Sequence, residues 1–439
     1  VNGKATWMDS TWDLDGDGSD MKLEEGASQT LRFIGVSQGL RVIRELTFNG
    51  SAYTVNEKIH LEPLGDAQNV NLAFTFAATT LASDKQPGIL ARLRHLVFGG
   101  EAPAPEESQY NTTRVAWLQN NSFDEEMSTS SLAEGKSVKS QLHWMGVMNN
   151  YFLGAVSMDD PAAEGRGRFS EGVYHARMGK TGVLVPKEGT DLECTYFLGP
   201  KETTTMESAP NGLGKALDYG MFSFIARPLV WLLQFLYGFA HNYGIAIILM
   251  TILIKGLFWP LSQKSYRSMQ QMKELQPLMT KLREKHAGDK EALNREVMQL
   301  YKTYKVNPAG GCLPILVQLP VLFGLYQALL NAIELRHAPF IETLPFTDLP
   351  WLNDLAAPDP YWITPLVMGG TMLLMQKFSP APADPTQAKI MMFMPIMFTL
   401  ISLNFPSGLV VYWLIINLIS IGQQWLQQRQ SKVKAGASK

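Results

Sequence analysis

The hydrophobic pattern changes character halfway along the chain. Up to about residue 209 apolar and polar positions alternate in short runs such as "LRFIGV", "LRVIRELTF", "KIHLEPL", "NVNLAFTFAA", "YFLGAVSM" and "GVLVPKEG", separated by Gly, Asn, Asp and Pro. A period of two over runs of this length predicts half-buried β-strands. Many such strands, with no comparable helical-period segments among them, predict an antiparallel β-sandwich over residues 1–209. The stretches "GGEAPAPEESQYNTT" (99–113) and "KETTTMESAPNGLGK" (201–215) read as loops, the second as a domain boundary.

Beyond residue 215 the alternation gives way to long apolar runs. Tyr243–Leu261 holds one charge, Lys255, and Val306–Ile333 holds none. Tyr361–Gln376 is a third run, and the uncharged stretch Ile390–Gln428 is divided into two by "FPSG" (405–408). The expected fold class is therefore a polytopic α-helical membrane protein behind an all-β domain. Its five transmembrane helices are expected at 243–262, 306–334, 361–378, 389–404 and 409–428. The third and fourth apolar runs are short: at 1.5 Å per residue they cover roughly 22–24 Å of a ~30 Å hydrocarbon core. Extension into flanking residues or local thinning of the bilayer would close that gap. "MFSFIARPLVWLLQFLYGFA" (221–240) is apolar enough for a sixth span, but only His241 and Asn242 separate it from the next helix and Arg227–Pro228 interrupts it. Residues 215–241 are therefore read as an amphipathic helix lying in the membrane interface.

Charge then orients the helices. Residues 1–220 carry 19 Lys/Arg against 29 Asp/Glu, whereas residues 221–439 carry 19 against 11. The segment after the first span holds ten Lys/Arg between Ser262 and Lys305, and the tail 429–439 is basic again, while loop 335–360 has Arg336 alone against several acids. By the positive-inside rule the 263–305 segment, the short 379–388 loop and the tail are cytoplasmic, and the sandwich lies outside. Met269, Met272, Met279 and Leu282 at helical spacing, "AGD" (287–289) and "KEALNREVMQLYKTYK" make 263–305 a helical hairpin. Its methionines form either the hairpin core or an adaptable surface for varied peptides. Cys194 and Cys312 lie in different environments and are not expected to form a disulfide. The first half reads as exported although the chain starts at Val1 without a signal, so an upstream signal or anchor is expected.

No catalytic triad order, phosphate loop, HExxH or CxxC is present, so neither an enzyme nor a cofactor protein is expected. "DLDGDGSDMKLE" (13–24) satisfies the EF-hand offsets through Asp13, Asp15, Asp17, Gly18 and Glu24. Asp20 stands at the normally apolar position and strands flank the segment, so it reads as an acidic turn and no metal site is assigned. Lys255 is the sharper feature, because a charge at mid-span costs ~2.5–3.5 kcal/mol on insertion scales. Snorkelling towards Leu261 would relieve part of that cost. The lysine nevertheless has polar company: Thr251 one turn away, and Gln318, Gln376, Asn404, Tyr412 and Asn417 on the other spans. Short helices carrying such groups can enclose a wet, positive cavity. A secondary transporter using Lys255 as its site is the competing reading, but the paired repeats common in transporters are missing.

"ILIKGLFWPL", "YKVNPAGGCLPILVQLPVLFGLYQAL", "IELRHAPF", "DPYWITPLVMGGTMLLMQKFSP", "KIMMFMPIMFT" and "FPSGLVVYWLIINLISIGQQ" together resemble the YidC membrane protein insertases, in register from about 215 to 428. "WMGVMNNYF" and "YFLGPK" carry a weaker resemblance of the sandwich to the periplasmic domain of that family. The resemblance implies an inner-membrane insertase and chaperone with a positively charged hydrophilic groove open to cytoplasm and lipid. The groove attracts the polar tail of a nascent membrane protein, whose apolar segment slides past the family's third and fifth spans into lipid. By position the groove residues are Lys255, Thr251, Gln318, Gln376, Tyr412, Trp413 and Asn417. The implied partners are nascent membrane proteins, the ribosome, membrane lipids and the Sec translocon (SecYEG and SecDF). One departure stands out: the family usually has arginine where this chain has Lys255. A lysine lacks the bidentate fork and attracts as a point charge.

Overall fold

In a computed structural model the chain is described at residues 11–15, 22–79, 112–286, 288–304, 306, 313–378 and 385–437. These fall into two compact units that meet in sequence between Asp218 and Tyr219.

The first unit is a β-sandwich of two antiparallel sheets. Its strands are β1 (Trp12–Asp15), β2 (Ser28–Ser37), β3 (Leu40–Asn49), β4 (Thr54–Pro63), β5 (Gln68–Thr79), β6 (Arg114–Gln119), β7 (Ser122–Glu126), β8 (Lys136–Val138), β9 (Leu142–Met148), β10 (Phe152–Ser157), β11 (Glu164–Ser170), β12 (Val173–Val185) and β13 (Thr190–Pro200). One sheet runs β1-β2-β3-β4-β13-β10-β9-β6-β7 and the other β5-β12-β11-β8. Between them lie Val42, Leu61, Val115, Trp117, Met145, Val156, Ala176 and Met178, all nearly inaccessible to solvent. "RVAWLQ" in β6 shows why two-fold alternation fades in the middle of the large sheet. Val115 and Trp117 face the inter-sheet core, while Ala116 and Leu118 belong to a second apolar cluster. That second cluster corrects the loop expected at 201–215. The segment instead forms α2 (Thr203–Ser208), which follows the small α1 (Thr129–Glu134), and a 3-10 turn over Leu213–Ala216. Met206, Leu213, Ala216 and Leu217 pack there with Trp144, and the Trp144 indole N–H donates to the Gly212 carbonyl at 3.4 Å. The first unit accordingly runs on to Asp218 rather than stopping at residue 209.

Of the EF-hand pattern, residues 16–21 lie outside the described residues. Asp15 is paired with Arg32 at 3.0 Å across β1 and β2, so one carboxylate of the pattern already has a cation.

The second unit is helical: α3 (Ser223–Ala240), α4 (Tyr243–Leu257), α5 (Trp259–Lys285), α6 (Lys290–Thr303), α7 (Leu313–Asn331), α8 (Ile363–Phe378), α9 (Pro385–Ser402) and α10 (Ser407–Ala437). α3 packs on α4 and α7, α10 packs on α4 and α8, and α9 lies against α8. The run read as one span over 243–262 is broken. α4 ends at Leu257 and α5 leaves at 63°. Pro260 in the first turn of α5 explains the break, because its ring would collide with the carbonyl four residues back in a continuous helix. The basic tail expected at 429–439 continues α10 as helix to Ala437.

Among the described residues two helices, Gly220–Ala240 and Ser407–Arg429, are long and apolar enough to cross a membrane. The bent pair Tyr243–Leu257 and Trp259–Met272 makes up to three, and Val317–Asn331 and Lys389–Ser402 are shorter apolar helices. The expected count of five is thus not reached by length and composition, and the segment read as interfacial is one of the two that pass.

Candidate functional site

Lys255 does not sit in the middle of a helix. Because α4 stops at Leu257, the lysine occupies its last turn, where the unpaired carbonyl ends favour a cation. It is 7% exposed. Its ammonium donates to the Ser420 hydroxyl of α10 at 3.0 Å, and Ser420 donates in turn to the Ile416 carbonyl at 2.7 Å. Among the described residues no carboxylate pairs with Lys255, so the charge is held by a neutral partner and by the helix end. The Tyr266 phenol, two turns into α5, sits beside Ser420 and Gln424. The side-chain oxygens of Gln423 and Gln424 are buried without a hydrogen-bond partner among the described residues. A buried cation and unmatched buried acceptors in one helix junction favour water or a polar guest over hydrocarbon.

The seven sequence-predicted residues do not form one ring. Thr251 is fully buried one turn from Lys255, but its hydroxyl is turned back onto the Ile247 carbonyl at 2.6 Å. Tyr412 lies two turns from Ser420 on α10, with its hydroxyl buried and Gln318 of α7 beside it. Asn417 donates to the Thr371 hydroxyl of α8 at 3.2 Å, tying α10 to α8. Trp413 belongs to an aromatic cluster instead, with Phe398 at 5.6 Å and Phe405 at 5.8 Å between ring centroids. Gln376 is half-buried on α8, more than a turn beyond Thr371.

Ser420, Tyr266, Gln423 and Gln424 are the residues that sequence reasoning missed. The signal was present: Asn417, Ser420 and Gln424 recur at helical spacing along one face of α10. What no spacing rule supplies is the bend at Pro260, which carries Tyr266 back towards that face.

An all-β sandwich followed in the same chain by a unit of long apolar helices defines a membrane protein with an appended β domain. The comparisons make this specific. Residues 235–435 match the family described as "60Kd inner membrane protein", and residues 2–232 match the "YidC periplasmic domain". The "Membrane protein insertase YidC" of Nitratidesulfovibrio vulgaris strain DP4 is 54% identical over 97% of this chain and 76% of its own length. Those of Lawsonia intracellularis and Oleidesulfovibrio alaskensis are 49% and 48% identical, each over 98% of this chain and 77% and 76% of their own lengths. A solved active YidC insertase covers 95% of this chain and 83% of its own at 16% identity and a TM-score of 0.41. The chain belongs to the YidC family of membrane protein insertases. It is an inner-membrane protein, its sandwich is the periplasmic domain, and its activity is the insertion of membrane proteins.

Proposed function

We propose that this insertase works through a hydrophilic groove whose working charge is Lys255. The observation that carries the reading is the burial of that ammonium with no carboxylate partner among the described residues. A cation held by Ser420 and a helix end attracts the acidic or polar tail of a nascent protein. Thr251, Gln318, Tyr412 and Asn417 line the path, with Gln376 and Trp413 contacting the arriving segment. No covalent step is needed. Attraction holds the tail within the bilayer while the adjoining apolar segment partitions into lipid. Helices of 15–19 residues, shorter than the hydrocarbon core, lower the barrier by thinning the bilayer around them. In this reading five helices cross the membrane, α3 lies in the outer interface, and the α5–α6 hairpin and the C-terminus face the cytoplasm. There the basic hairpin and tail meet the ribosome, and the protein works either alone or beside the Sec translocon.

Lysine suffices for such a mechanism because attraction, unlike bidentate clamping, needs only a point charge. In reconstituted vesicles with a small Sec-independent substrate bearing an acidic tail, Lys255→Arg should insert at the parental rate. Lys255→Glu should lose about tenfold or more, a difference on the order of 1.4 kcal/mol in the barrier. Equal insertion by the two variants would sink the electrostatic reading.

A further inference from the structure

Four edge strands bound the sandwich among the described residues: β1 and β7 in the large sheet, β5 and β8 in the small one. Three of them carry the usual protection against strand pairing. β1 has 4 residues with Asp13 and Asp15, β7 has 5 with Asp124, Glu125 and Glu126, and β8 has 3 beginning at Lys136. β5 has none of it. "QNVNLAFTFAAT" is 12 residues without a charge or a proline. It pairs with β12 from Gln68↔Val185 to Thr79↔Val173 on one side, and with no strand on the other among the described residues. Its second half also borders a cleft of about 350 Å³ between the sheets. Phe76 and Ala78 of β5 line it together with Tyr53, Gly154 of β10 and Leu198 of β13. An unprotected edge beside an apolar cleft combines the two elements of strand-addition recognition. Main-chain hydrogen bonds supply affinity, and a pocket for an alternate side chain supplies selectivity.

We propose that the β5 edge captures an extended, uncharged stretch of a substrate polypeptide as an added strand, seating one of its apolar side chains in the cleft. The family's activity names the occupant. Membrane proteins under insertion deliver segments to the periplasmic side before they fold, with backbone N–H and C=O groups still unmatched. An uncharged edge costs an uncharged segment no charge desolvation, whereas the acidic surplus of residues 1–220 repels acidic ones. The proposal is independent of the Lys255 groove, because binding at β5 is measured without insertion.

The test uses the full chain in nanodiscs and a fluorescein-labelled ten-residue peptide of alternating threonine and valine, followed by fluorescence anisotropy. Saturable binding is expected. N-methylation of every second amide along one peptide edge should weaken it by about tenfold or more, since it removes the ladder donors and leaves the side chains. Ala77→Lys and Leu198→Lys, both at exposed positions and therefore tolerated by the fold, should each weaken binding several-fold. Three outcomes would overturn the proposal: no saturable binding at millimolar peptide, unchanged affinity for the methylated peptide, or unchanged affinity in both variants. So would sedimentation of the parent as a dimer that Ala77→Lys disperses, since the edge would then belong to a second copy.

Discussion

Two buried lysines show how differently one side chain can be accommodated. Lys255 lies at a helix end against a hydroxyl, and both features favour its charge. Lys201, in the sandwich, is 3% exposed, and its ammonium donates to the Asn149 carbonyl at a long 3.4 Å. Burial, reinforced by the charge of Arg114 and opposed by Glu125 and Asp218, pulls its ammonium down from the ordinary 10.5 to about 7. The unfolded chain keeps that proton up to the ordinary lysine range. Between about pH 7 and pH 10 the unfolded state therefore binds more protons, and stability rises with pH. Below about 7 both states hold the proton and the burial penalty applies in full. Lys201→Met should raise the unfolding midpoint of the sandwich by roughly 2–4 °C at pH 6 and flatten its rise towards pH 9. Tryptophan-fluorescence melts across that range measure it, and a variant as steeply pH-dependent as the parent would mean that another group is responsible.

At the level of elements, packing decided what local pattern left open. The apolar run around Lys255 is continuous in composition, yet Pro260 divides it, and the division puts the lysine at a helix end. Gly369 in α8 is another such point. A side chain there would collide with Thr399 of α9, whose hydroxyl already donates to the Pro395 carbonyl at 2.7 Å. α8 is among the described residues the main support of α9, whose other faces expose Ile390, Met392, Phe393, Ile396, Met397 and Leu400. Gly369→Leu should therefore force the two helices apart at a cost of about 1–3 kcal/mol. Detergent-stability melts should report a lower midpoint, with Gly369→Ala less affected. Equal midpoints for the parent and the leucine variant would show that α9 has slack to move.

For the whole molecule, the charge asymmetry of the loops makes an orientation testable. With both native cysteines replaced, single cysteines at Phe346 in the 335–360 loop and at Glu284 in the α5–α6 hairpin occupy exposed positions. In cells with a permeabilised outer membrane, a membrane-impermeant maleimide should label Phe346→Cys and spare Glu284→Cys until the inner membrane is lysed. The opposite pattern would invert the proposed topology and move the groove to the other leaflet. Either pattern leaves the family assignment intact, since that rests on sequence matched across both units.

The residues by themselves determined the division into a β half and an apolar helical half, the family, and Lys255 as the misfit to be explained. Each is legible because hydropathy, charge and motif are local properties of the chain. The tertiary structure alone decided the rest: the second apolar cluster that carries the sandwich on to Asp218, the unprotected β5 edge, and the partnership of Lys255 with Ser420. These depend on which distant residues meet, 165 positions apart in the last case. Strand order and helix bends set such meetings, and one-dimensional periodicity does not encode them.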